Sequence, residues 1–159
     1  MSLPPHRMKT LALRRLTDAE RAIAAEVFKG SLQAGRVRLL AAPVWPRAFV
    51  AGPRLMVWPA AGALRDFGRA PLRLQAVFVH ELTHVWQAQR GVFLPIAKLR
   101  AGDSPAAYAY DLTGARAFAD LNIEQQAMAV QHAFLTLRGH AAPHPAELCA
   151  QALEAVRRT

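Results

Sequence analysis

A chain of 159 residues with 53% hydrophobic and 19% charged side chains can bury one core as a single domain, which excludes global disorder. The net charge of +9 invites nucleic acid, but the arginines are scattered from Arg7 to Arg158, with no dense run, aromatic interleaving or zinc-finger spacing. Specific nucleic-acid binding is therefore not expected, and the lack of any run of about 18 apolar residues excludes a spanning helix.

Residues 1–13 are basic and read as an N-terminal arm without the apolar stretch of a secretory signal. The sequence thus reads as cytoplasmic, with any export by a signal-independent route. Thr17-x-x-Glu20 has the form of a capping box, and Ile23, Val27, Phe28 and Leu32 follow at helical spacing, so a helix is expected over 18–33. From 36 to 59 the segments "RVRLL", "RAFVA" and "RLMVWP" lie between Pro43, Pro46 and Gly52-Pro53. They read as strands of a short, mainly antiparallel sheet, with a turn at Gly52-Pro53. "RLMVW" is expected at the edge of that sheet, where an extended peptide could add as a further strand. "AAGALRDFGRA" reads as a loop.

Pro71 suits the first turn of a helix that runs to Arg90 and stops at Gly91. Leu74, Val77, Phe78, Leu82, Val85 and Trp86 make that helix apolar on more than one side, which places it at the centre of the domain. Residues 92–118 read as irregular, with a turn at "AGDSP" and a short strand at "AYAYDL". Asn122-x-x-Gln125 resembles a cap, and Ile123, Ala127, Val130 and Phe134 mark one face of a helix ended by Gly139. Pro145 opens a last amphipathic helix bearing Leu148, Ala152, Leu153 and Val156. Cys149, the only cysteine, is expected as a small apolar residue on it, and a single thiol fits a reducing compartment. Trp45, Trp58 and Trp86 read as core or rim residues.

The central helix carries His80-Glu81-x-x-His84. Residues four apart on a helix lie about 40° apart around its axis, so both imidazoles can meet one ion. A zinc ion with three protein donors keeps a position open for water. Glu81, beside the first histidine, is placed to accept that water's proton as general base. Two buried imidazoles and a carboxylate without partners would each cost about 1–3 kcal/mol, a liability that a metal removes. A third donor is needed, and Glu124 at the start of the next long helix is the best candidate because it lies in the otherwise uncharged run "LNIEQQAMAVQHAF". Asp111, Asp120 and His132 are its rivals.

"VHELTHVWQ" followed by "NIEQQA" resembles the gluzincin type of zinc metallopeptidase. That resemblance implies His80, His84 and Glu124 as zinc ligands. His80-Glu81-Leu82-Thr83-His84 is the pentapeptide of thermolysin-like enzymes. More closely, residues 14–135 are similar to bacterial vgr-related proteins, associated by name with type VI secretion spikes, and to zincin-like domains of contractile injection systems. The resemblance implies an α+β zincin-like domain that cleaves peptides or proteins, with spike proteins as partners. The other reading it allows is a weakly active or inactive zinc-binding effector or adaptor.

Where thermolysin-like enzymes place an aspartate four residues after the glutamate ligand, this chain has Met128. The second ring nitrogen of His80 therefore needs another acceptor, with Asn122, Gln125, Asp120 or a backbone carbonyl as candidates. An oxyanion donor is also expected. Tyr110 is the first candidate and Tyr108 and His132 follow. His140 and His144 lie in a proline-containing loop and are expected to be exposed.

Overall fold

The computed structural model describes residues 6–111 and 117–158, and within them six α-helices and a four-stranded sheet form an α+β domain. The strands are β1 (Leu13–Arg15), β2 (Arg38–Ala42), β3 (Phe49–Gly52) and β4 (Leu55–Pro59), in the order β1-β2-β4-β3. β1 pairs with β2 and β3 with β4 antiparallel, while β2 and β4 run parallel in the register Arg38 to Leu55 through Ala42 to Pro59. The β3–β4 connection is the expected turn at Gly52-Pro53. β4, however, is an interior strand. Its neighbours on both sides explain why Met56, Val57 and Trp58 are all buried. The free edge next to the central helix belongs to β3, whose side chains alternate between solvent and core.

The helices are α1 (Asp18–Phe28), α2 (Leu72–Gln89), α3 (Leu94–Ala101), α4 (Pro105–Tyr108), α5 (Ile123–Leu137) and α6 (Ala146–Arg157). Helix α1 has the expected capping box, with Thr17 accepting from the Glu20 amide at 3.1 Å and Glu20 accepting from the Thr17 amide at 2.9 Å. It ends before residue 33 because Lys29 and Gly30 both have positive φ. The Glu20 carboxylate is fully buried, takes two 2.7 Å bonds from Arg14 and one of 2.8 Å from the Phe67 amide, and so ties β1, α1 and the segment Phe67–Arg69 together. That segment turns at Gly68, where an added Cβ would stand 2.5 Å from the Ala19 Cβ.

Two expectations fail between 92 and 118. Residues 94–101 and 105–108 are helical, and each segment begins with a proline at its first turn. The proline is compatible with a helix there because its missing N–H would be unpaired anyway. Helix α3 escapes periodicity because Phe93, Ile96 and Leu99 face solvent. Pro105–Tyr108 replaces part of the expected strand "AYAYDL", whose Leu112 lies outside the described residues. The described part of the N-terminal arm is not free either. Met8 is buried, its amide donates to the Ala63 carbonyl at 2.8 Å, and Arg7 pairs with Leu64.

Helix α2 lies along α5, which in turn packs on α6, and α2 also touches β3 and β4. Phe78, Leu82 and Val85 sink into the core with Phe28, Phe67 and Phe134. The opposite side of α2 carries His80, Glu81 and His84 into a cleft between β3, α3 and α5. Among the described residues no helix is long and apolar enough to cross a membrane. Cys149 is buried on α6 as expected.

Candidate metal centre

The helical spacing puts the His80 and His84 rings 5.0 Å apart, edge to face, on one side of α2. Opposite them, Asn122 caps α5 by accepting from the Gln125 amide at 2.8 Å while Gln125 accepts from the Asn122 amide at 3.0 Å. This box fixes the first turn of α5, and Glu124 on that turn points at the histidines. One carboxylate oxygen, Oε2, lies 3.2 Å from His80 Nε2 and 3.4 Å from His84 Nε2. The three donor atoms are mutually within 4.8 Å, and all three residues are buried. Donors placed about 2.0–2.1 Å from a tetrahedral ion stand about 3.3 Å from one another, so the donor set fits such an ion.

The second nitrogen of each ring is engaged. His84 Nδ1 is 2.8 Å from Gln87 Oε1, and the Gln87 amide nitrogen donates to the Ile123 carbonyl and to Gln126 Oε1, each at 2.9 Å. The glutamine is thereby held oxygen-first, so Nδ1 donates to it and Nε2 is the ring nitrogen left to face Glu124 or, once it gives up its proton, an ion. His80 Nδ1 is 3.1 Å from Gln131 Oε1. These are not the partners expected from the sequence. Asn122 donates to the Ala107 carbonyl, Gln125 to that of Ala109, and Asp120 accepts from the Ala117 amide. The available signal was helical spacing, since Gln87 follows His84 by three residues and Gln131 follows Glu124 by seven. Replacing Gln131 with leucine is expected to lower metal affinity about 10–100-fold in a chelator competition. Unchanged affinity would show that this acceptor has no influence on the site.

Lys98 of α3, missed by the sequence reading, donates to the other Glu124 oxygen at 2.7 Å. Burial alone would raise the Glu124 pKa, but the bonds from His80, His84 and Lys98 hold it far below the usual carboxylate range. His84 is shifted up: burial opposes the charged ring, yet Glu124 and the nearby Glu81 outweigh it. Glu81 is 8% exposed and lines the cleft, and its Oε2 has no hydrogen-bond partner among the described residues.

Of the two tyrosines, Tyr108 lines the cleft, accepting from Lys98 at 2.9 Å. Tyr110 is turned away, its hydroxyl 2.6 Å from His132 Nδ1 and its ring 4.4 Å from that of His144. The helix ends at Tyr108 and Ala109 is extended, so the two rings leave the backbone on different sides. This removes both Tyr110 and His132 from the cleft, and it leaves His144 half-buried where exposure was expected. Asp111 and Asp120 are exposed. The cleft has a volume of about 1030 Å³, with Trp45, Phe49, Val77, Leu94 and Met128 as apolar walls.

No protein-family model matches the chain. It is 31% identical over 134 residues, or 77% of its length, to the type VI secretion system spike protein VgrG2b of Pseudomonas aeruginosa, and it spans 13% of that protein. The solved effector domain of P. aeruginosa VgrG2b has the same fold, with a TM-score of 0.68 and 28% identity over 94% of this chain and 84% of that one. The chain is homologous to that effector domain. Most of the VgrG2b spike protein has no counterpart in this chain.

Proposed function

We propose that this chain is an effector domain of the type VI secretion spike class, and that its cleft is a zinc centre which hydrolyses peptide bonds in the gluzincin manner. The homology to the VgrG2b effector domain supports the first part. The second rests on one observation: a buried carboxylate oxygen of Glu81 without a partner among the described residues, in the same cleft as the converging donors of His80, His84 and Glu124. Two imidazoles and one carboxylate are one of the donor sets of catalytic zinc sites.

Zinc held there supplies a Lewis acid for the attacking water and the scissile carbonyl. Glu81 takes the proton of the attacking water and delivers it to the leaving amine. Gln131 and Gln87 keep the rings of His80 and His84 oriented through both steps. The exposed edge of β3 offers unpaired backbone groups, so an extended peptide can lie along it beside the cleft. Incubation of the zinc-loaded protein with a mixed peptide library tests the reading, with chelator-sensitive cleavage as the expected result. Stoichiometric zinc without cleavage would favour the second reading, a metal-binding effector with weak or no turnover, which the homology to an effector domain supports better than it supports peptide cleavage.

Zinc binding is expected to weaken on acidification from above the ordinary histidine value of 6.5, because His84 is shifted upward in the metal-free protein and protons compete for it. The same shift stabilises the metal-free fold below the unfolded histidine pKa, and that contribution is lost as pH rises through the raised folded value. Chelator competition between about pH 5.5 and 8.5 measures the effect, and a flat profile would contradict it.

A further inference from the structure

Asp103 lies in the loop between α3 and α4, just after Gly102, whose φ of +78° sets the direction of the chain. Its carboxylate is gripped by three donors from three separate segments. Arg47, just before β3, reaches Oδ2 at 2.7 Å. Lys98 of α3 reaches Oδ1 at 2.8 Å, and the Tyr108 hydroxyl of α4 donates to the same oxygen at 3.2 Å. Lys98 simultaneously holds Glu124. The three donors line the cleft, so a carboxylate in their grip is two hydrogen bonds away from the metal donor Glu124.

We propose that Arg47, Lys98 and Tyr108 form a carboxylate-binding cradle beside the reaction centre, filled in this structure by Asp103, and that a carboxylate of the peptide substrate displaces it. The inference rests on the peptidase reading and names the substrate class: peptides bearing a carboxylate close to the scissile bond. Arg47 and Asp103 are 61% and 56% exposed, and exposed ion pairs hold only weakly, so the exchange costs little. Asp103 is also kept well within its ionised range, first by Lys98 and then by Arg47, as any carboxylate taking its place would be. The placement suits a peptide on the β3 edge, because Arg47 stands two residues before Phe49, where that strand begins.

The carboxylate has two sources, an acidic side chain or a free C-terminus, and matched peptides separate them. The first pair differs by Glu against Gln at one position, scanned along the peptide, and the second by a free acid against a C-terminal amide. Binding is measured by fluorescence polarisation on the zinc-loaded Glu81→Gln protein, so no turnover is needed. One of the two pairs is expected to show about a three- to fivefold preference for the carboxylate form. Asp103→Asn should widen that preference by removing the internal competitor, leaving the neutral peptides unchanged. Arg47→Gln should shrink it below about twofold. If Asp103 were only a clip between loops, Asp103→Asn would weaken or spare both members of a pair alike, and that outcome overturns the proposal. Equal binding within each pair in the parent protein, or no binding, overturns it too. A clear carboxylate preference in a protein that cleaves no peptide keeps the cradle and rejects the peptidase reading.

Discussion

Replacing Glu81 with glutamine is expected to lower peptide turnover about 10²–10⁴-fold while zinc binding is retained. The substitution keeps the size of the side chain and removes the charge that accepts a proton, and it leaves His80, His84 and Glu124 as they are. It should also leave the fold intact or slightly firmer. A buried carboxylate oxygen with no hydrogen-bond partner is a cost to folding, and the neutral amide reduces that cost. Turnover by purified parent and variant, with zinc content measured on the same samples, decides the matter. A variant that cleaves like the parent would assign the activity to another group and remove the main support for the catalytic reading.

Replacing Glu124 with alanine is expected to weaken zinc binding by more than about 100-fold, beyond the 10–100-fold typical of losing an outer hydrogen-bond partner. Glu124 is the only carboxylate among the described residues whose oxygen meets both imidazole nitrogens. Its loss leaves two donors, too few to hold an ion firmly in a site with an open position. The alanine variant also releases Lys98 from its 2.7 Å bond, so a Glu124→Gln variant serves as a control of equal size. It should bind zinc nearly as poorly, because a neutral amide oxygen is a weak substitute for a carboxylate. If both variants bound zinc like the parent, the third donor would lie elsewhere and the geometry of α5 would need another explanation.

What was legible in the sequence is what depends on neighbours three or four residues apart. The capping boxes at Thr17 and Asn122, the stop at Gly91 and the pairing of His80 with His84 all arise within one or two helical turns. The breakers at Gly52-Pro53 likewise marked the β3–β4 turn. Glu124 was legible as the best candidate, ahead of Asp111, Asp120 and His132, because a lone charge in an otherwise uncharged run has to face something. Residues 92–118 read as irregular, yet Pro95 and Pro105 stand in the first turns of helices there, and the outward-facing Phe93, Ile96 and Leu99 removed the periodic signal.

The sequence by itself therefore determined the central helix with His80, Glu81 and His84 on it, and the capped helix that bears Glu124. Only the tertiary structure decided how these meet. The packing of α2 along α5 selects Glu124, turns Gln131 and Gln87 toward the ring nitrogens, and brings Lys98 in from α3. The parallel pairing of β2 with β4 makes β3, rather than β4, the free edge. The end of α4 puts Tyr108 in the cleft and Tyr110 outside it. Each of these depends on contacts between residues far apart in the chain, where helical and strand periods carry no information.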